Sequence, residues 1–188
     1  MSTNRRFGIL KYVLWAIAEI AILRWFLWSV RKRIPHEIAM SLGMLLGVAL
    51  YFQTFVQLIP MEYPTWGKSF WLKTISWVLL WMGAALALGS MLTLRFKGRP
   101  TSGWEHTTQL IETGIYRWIR HPLYLAALLV VTGASLLRPA VMTLALWIPS
   151  AACFVLAAWY EDRFNAEKFS NDYRRYQSRS KLLIPFLF

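Results

Sequence analysis

Residues 122–160 read PLYLAALLVVTGASLLRPAVMTLALWIPSAACFVLAAWY, with Arg138 the single charge among them. As one continuous helix this stretch would rise about 58 Å at 1.5 Å per residue, close to two hydrocarbon cores of a bilayer. Arg138-Pro139 falls near the middle, where proline punctuates a helix. The stretch therefore predicts a helical hairpin made of two membrane spans. Pro149 is expected to kink the second arm without ending it, because neighbouring helices can satisfy the carbonyl it frees.

Working outward, two further apolar runs precede the hairpin, roughly Ile38–Ile59 and Phe70–Leu94. Lys73 lies near the entry of the second, where its ammonium can reach the headgroups. A first run, Gly8–Val30, carries Glu19 and Arg24 well inside its length. Each such charge costs about 2.5–3.5 kcal/mol at a helix centre on insertion scales. That run reads either as a fifth span facing the bundle interior or as an amphipathic helix lying on the surface. Glu19, if intramembrane, is a functional residue by default or one paired inside the bundle. The expected fold is thus all-α: a polytopic membrane helix bundle of five transmembrane helices, with four possible. It forms one domain, 1–188. Its N-terminal spans occupy 8–94; a long loop, the hairpin and an amphipathic tail helix occupy 95–188.

Composition agrees. Of 188 residues 57% are hydrophobic and only 16% charged, against about 25% charged in a soluble domain. With a mean hydropathy of +0.40, that excludes a soluble globular domain, a disordered tail and a disulfide scaffold. Lys and Arg number 21 against 9 acids, net +12. Basic loops facing anionic lipid account for this excess without any nucleic acid. The loop between the third and fourth spans holds Arg95, Lys97, Arg99, Arg117 and Arg120. The tail holds Arg163, Lys168, Arg174, Arg175, Arg179 and Lys181. The opposite face has only Lys68 and Arg138, joined by Arg5 and Arg6 if there are five spans. Both polar segments are therefore expected in the cytoplasm. The N-terminus lacks a cleavable-signal pattern, since Lys11, Glu19 and Arg24 interrupt it. The eleven tryptophans read as interfacial anchors and packing.

The Arg95–His121 loop is too long for a plain turn, and long loops tend to carry function. It ends in GIYRWIRHPLY, residues 114–124. Pro122 suits the first position of a helix, which puts His121 at the N-cap and Arg120 just before it. Free N–H groups at a helix start, with an arginine fork beside them, make a carboxylate or phosphate site. The same residues also suit plain orientation and capping. A second constellation begins as the last span ends, with Glu161 and Asp162. On a helix, Glu161, Asn165, Phe169, Tyr173 and Tyr176 share one face, while Arg163–Glu167 and Lys168–Asp172 form i, i+4 pairs elsewhere. Because both constellations sit at the feet of one hairpin, they are expected to face each other across a pocket. The apolar ending KLLIPFLF, residues 181–188, is expected to fold back against the bundle or lipid and help wall that pocket.

The stretches LIETGIYRWIRHPLY and EDRFNAEKFSNDYRRY, with a closing IPF, resemble the isoprenylcysteine carboxyl methyltransferase family, whose wider relatives include phospholipid N-methyltransferases. The resemblance implies S-adenosylmethionine as cofactor, held by Gly114, Tyr116, Arg120, His121, Pro122, Tyr124, Glu161 and Asp162. It implies catalytic roles for Arg120 and Glu161, no metal, and a lipophilic small-molecule or lipidated acceptor that offers a carboxylate. Three positions depart from the family pattern: Asp162 stands for Glu, Ser170 for Gly, and Thr108 for a histidine that His106 neighbours. Other readings are a phospholipid-type N-methyltransferase, an NADPH-dependent sterol-reductase-like enzyme and an inactive scaffold. The reductase pattern has an acid shortly after its Arg-x-x-x-Tyr step, where this chain has Ala126-Ala127.

Overall fold

The computed structural model describes residues 2–57, 59, 62, 64, 68–98 and 109–184, with side chains from residue 10 onward. Five α-helices account for most of them: α1 (Ser2–Lys32), α2 (Pro35–Val56), α3 (Phe70–Lys97), α4 (Pro122–Leu137) and α5 (Val141–Arg179). The chain is an all-helical membrane bundle. Among the described residues four helices are long and apolar enough to cross a bilayer. The short one is not α1 but α4, whose 16 residues rise about 24 Å, less than a full hydrocarbon core. In α1 the apolar stretch runs 23 residues from Leu10 to Lys32 and packs on α2, with Leu14, Ile17, Ile20 and Leu23 facing outward. Glu19 accepts a hydrogen bond from Trp15 Nε1, 3.2 Å away on the same helix.

Little hydrophobic force acts between helices in lipid, so contact depends on close packing and shared hydrogen bonds. Both are present. A Cβ on Gly133 of α4 would lie 2.8 Å from the Ser76 carbonyl of α3, and one on Gly83 of α3 would lie 2.9 Å from the Ala126 carbonyl. Only glycine permits those backbones to approach so closely. The Ser150 hydroxyl donates to Gly43 O at 2.9 Å, joining α5 to α2, and Thr54 donates to Ala134 O at 3.2 Å, joining α2 to α4. At the hairpin turn the Thr143 hydroxyl accepts from the Ala140 N–H at 2.8 Å, fixing the start of α5 just past Arg138-Pro139.

α5 is 39 residues long and continues through Pro149. The tail is the outer half of α5 rather than a separate helix. Its one break is Ser170, at φ 49° and ψ −121°. Beyond Arg179 the chain turns back, and Leu182 and Leu183 join the core with Leu50, Leu80 and Phe154. The return of the C-terminus expected above holds as far as these residues; 185–188 lie outside the described part. So do Arg99, His106 and Thr108. The order of the helices gathers the α1–α2 turn, the end of α3, the start of α4 and the outer half of α5 at one end of the bundle. Arg31, Lys32 and Arg33 belong to that end and add to its basic excess.

Candidate functional site at the foot of the hairpin

A single 3-10 turn, Gly114–Arg117, leads into the foot of α4. Gly114 sits at φ 65°, with open space where a Cβ would be. What the turn requires of this residue is backbone freedom, not room. Tyr116 is buried, and its carbonyl accepts a hydrogen bond from the Tyr176 hydroxyl of α5. The next residues pair with the returning C-terminus. Arg120 N–H donates to Lys181 O at 2.8 Å, His121 N–H to Leu182 O at 3.1 Å, and Lys181 N–H to Trp118 O at 3.0 Å. Two strand-like turns thus clamp each other just outside the bundle.

Behind that clamp lies Asp162, buried and fully engaged. Its carboxylate accepts from Arg120 Nε at 2.7 Å, Tyr173 hydroxyl at 2.7 Å and Gln177 Nε2 at 2.8 Å, with His121 Nε2 at 3.2 Å. Burial alone would raise this carboxyl. The hydrogen bonds from His121, Arg120 and Tyr173 outweigh it and hold the group well below the usual carboxylate range. Burial and the adjacent Asp162 charge push the Tyr173 phenol well above its ordinary value. Arg120 Nη1 donates to Ser180 O at 2.6 Å and reaches Gln177 O at 3.4 Å, while Nη2 lies 3.5 Å from the second Asp162 oxygen. One of its five N–H groups, on Nη2, is left without a partner among the described residues.

In front of the clamp opens a cleft of about 710 Å³, its mouth included. Tyr116, Arg120, His121, Pro122, Tyr124 and Glu161 all line it. Gly114 and Asp162 do not: the first shapes the turn, and the second anchors Arg120 from behind. Among the described residues Glu161 is the one carboxylate in the lining, and it accepts a hydrogen bond from the Tyr124 hydroxyl at 2.6 Å. Leu123, in the first turn of α4, also lines the cleft, and the N–H groups of a helix's first turn have no intrahelical partners. The single face expected of Glu161, Asn165, Phe169, Tyr173 and Tyr176 holds, since all five line the cleft. Arg163, expected to pair forward with Glu167, instead turns back over Trp159, 3.5 Å from the ring centre.

Sequence reasoning overlooked several contributors. Gln177, Ser180 and the Lys181–Leu182 backbone hold Arg120 and Asp162 in place, yet no spacing points to them, since Gln177 is a common helix residue and Ser180–Leu182 lie beyond the end of α5. Met40 and Leu94 reach the cleft from α2 and α3, which only tertiary packing decides.

A sequence profile described as phospholipid methyltransferase matches residues 71–172, more than half of the chain. The chain is also 33% identical over 84 residues to the protein-S-isoprenylcysteine O-methyltransferase of Saccharomyces cerevisiae, a match covering 42% of this chain and 33% of that protein. It thus spans about a third of the length of the curated relative it matches. No solved structure matches.

Proposed function

The chain belongs to the phospholipid methyltransferase family, and from that premise we propose that it transfers a methyl group from S-adenosylmethionine to a lipophilic acceptor at the cytoplasmic face of a membrane. One observation carries the reading: Glu161, the only carboxylate among the described residues of the cleft, shares its lining with Arg120 and the first turn of α4. The two charged ends of an amino-acid moiety need an anion on one side and N–H donors on the other. The cleft has both. Glu161 would hold the ammonium. The Leu123 N–H, with the remaining N–H of Arg120 Nη2, would hold the carboxylate. Tyr116 and Tyr124 offer ring faces to a sulfonium. When bound, S-adenosylmethionine supplies a methyl group that an oxygen or nitrogen nucleophile can attack.

The rest is work for the chain itself. Asp162 keeps Arg120 from swinging, so the donors at the foot of α4 stay fixed. The apolar lining from Met40, Leu94 and Phe169 keeps water out of a site where charge cancels as the methyl moves. A carboxylate acceptor, as in isoprenylcysteine methylation, is already an anion and needs no base. A second reading, an amine acceptor, is favoured by Glu161, a carboxylate in the cleft lining that would take the proton.

Titrating S-adenosylhomocysteine into detergent-solubilised protein tests the assignment. Wild type should bind. Glu161→Gln should lose about 1.5–3 kcal/mol of binding, the worth of a hydrogen bond to a charged group. Unaltered affinity in Glu161→Gln, or protection from thermal unfolding by NADPH instead, would overturn it.

A further inference from the structure

Hydroxyls inside these helices follow one habit. Ser29, Ser41, Thr74, Ser76 and Thr93 each donate to the carbonyl four residues back, at 2.6 to 3.0 Å. That bond is the local choice for serine and threonine in mid-helix. Ser90 of α3 is fully buried and breaks the habit. Among the described residues its hydroxyl is the one buried side-chain polar atom without a hydrogen-bond partner. An unpaired buried hydroxyl destabilises a fold, and native proteins keep few of them.

Its place in the fold supplies a reason. Leu94, one turn further along α3 and on the same face, lines the cleft together with Tyr116. Ser90 lies one turn deeper, outside the lining, and its hydroxyl bears on the Tyr116 phenol. Burial and the Glu161 charge hold that phenol well above its ordinary value, so it keeps its proton; the Ser90 hydroxyl acts the other way, as a hydrogen-bonding neighbour. The backbone of Tyr116 is anchored, since its carbonyl takes the Tyr176 hydroxyl. Its phenol is the part that Ser90 can reach. Two hydroxyls thus meet at the edge of the cleft, and one of them has no partner.

We propose that Ser90 is a positioning residue that acts through Tyr116. When a methyl donor fills the cleft, the Tyr116 O–H turns to the Ser90 oxygen. That bond holds a phenol lone pair toward the donor's sulfonium. It also keeps the Tyr116 proton off Glu161, whose carboxylate is left for the ammonium. The role rests on the methyltransferase reading and adds to it a residue outside the cleft. Without ligand the same hydroxyl only destabilises, so fold stability and donor binding respond to Ser90 with opposite sign.

Ligand titration and thermal unfolding of the detergent-solubilised full chain test this. The two probes are S-adenosylmethionine and S-adenosylhomocysteine, because only the first carries the sulfonium charge. In Ser90→Ala the affinity for S-adenosylmethionine should fall about fivefold, the worth of one hydrogen bond, and that for S-adenosylhomocysteine less than about twofold. The unfolding midpoint without ligand should stay level or rise. Tyr116→Phe should show the same selective loss, and Ser90→Ala/Tyr116→Phe no more than either change alone. Equal losses for the two ligands, additive losses in the double variant, or a lower ligand-free midpoint in Ser90→Ala would each overturn the proposal. Wild type that binds both ligands, with Ser90→Ala unaltered, overturns this role alone. Wild type that binds neither overturns the methyltransferase reading, and the role of Ser90 with it.

Discussion

From Val141 to Tyr160, α5 presents Ser150, Phe154, Ala157 and Ala158 to its neighbours, all essentially buried. From Glu161 to Arg179 the same helix presents Asp162, Tyr173, Tyr176 and Gln177, joined to the rest of the chain by hydrogen bonds. In lipid, the inner half gains from shape alone, and small side chains suffice. The outer half sits where water competes, and there only a desolvated, multiply bonded carboxylate holds three segments together. The difference separates the task of standing upright in a membrane from that of shaping a cleft. Breaking either half should leave a different signature.

The largest effect is expected from Asp162→Ala. It strands Arg120 and Tyr173 without their shared acceptor, and breaking a buried ion pair costs about 3–5 kcal/mol. Thermal unfolding should fall sharply, and S-adenosylhomocysteine should no longer bind. Asp162→Ala with wild-type stability would show that the clamp of 118–121 on 181–182 holds the foot by itself.

The inner half answers with Gly133→Val. Its Cβ would meet the Ser76 carbonyl at 2.8 Å, and overpacking of this kind costs about 1–3 kcal/mol. Stability should drop while S-adenosylhomocysteine affinity in the folded fraction stays unchanged. A loss of affinity matching the loss of stability would mean that the two halves are not separable.

These two halves were unequally legible in the sequence. Hydropathy and Arg138-Pro139 sufficed for the hairpin, because membrane burial acts on every residue of a span alike. The doubt over Gly8–Val30 arose from Glu19 and Arg24, whereas the short helix is α4, whose length depends on where His121 caps it. The cleft-lining face of the tail was legible from i, i+3 and i+4 spacing. The division of labour between Glu161 and Asp162 was not. Adjacent acids on a helix point about 100° apart, so only one can face the cleft, and which one depends on the C-terminal turn that supplies Ser180 and Leu182.

Acid should tell the halves apart more gently. The Asp162 carboxyl is depressed in the folded state, so its contribution is full above the ordinary aspartate range, near pH 4, and declines as pH falls below it. Unfolding midpoints of wild type should decrease from pH 5 to pH 3 more steeply than those of Asp162→Asn. Parallel curves would mean that other carboxylates dominate acid unfolding.

The smallest effect concerns the joint within the outer half. Ser170 interrupts α5 at φ 49° and ψ −121°, a region open to glycine and strained for a residue with a Cβ. Its hydroxyl recovers little, reaching Glu167 O only at 3.4 Å. The break is nonetheless what lets Tyr173 and Gln177 turn back onto Asp162, so the strain has persisted because the network beyond it fixes the backbone. Ser170→Gly removes the clash and also adds freedom to the unfolded chain, which works against it. The net gain should be about 1 kcal/mol, read as a small rise in the unfolding midpoint with no change in S-adenosylhomocysteine affinity. In Asp162→Ala, where the outer turn has lost its anchor, the same substitution should gain nothing, because the segment can then relax on its own. Equal gains in both backgrounds would separate the break at Ser170 from the Asp162 network.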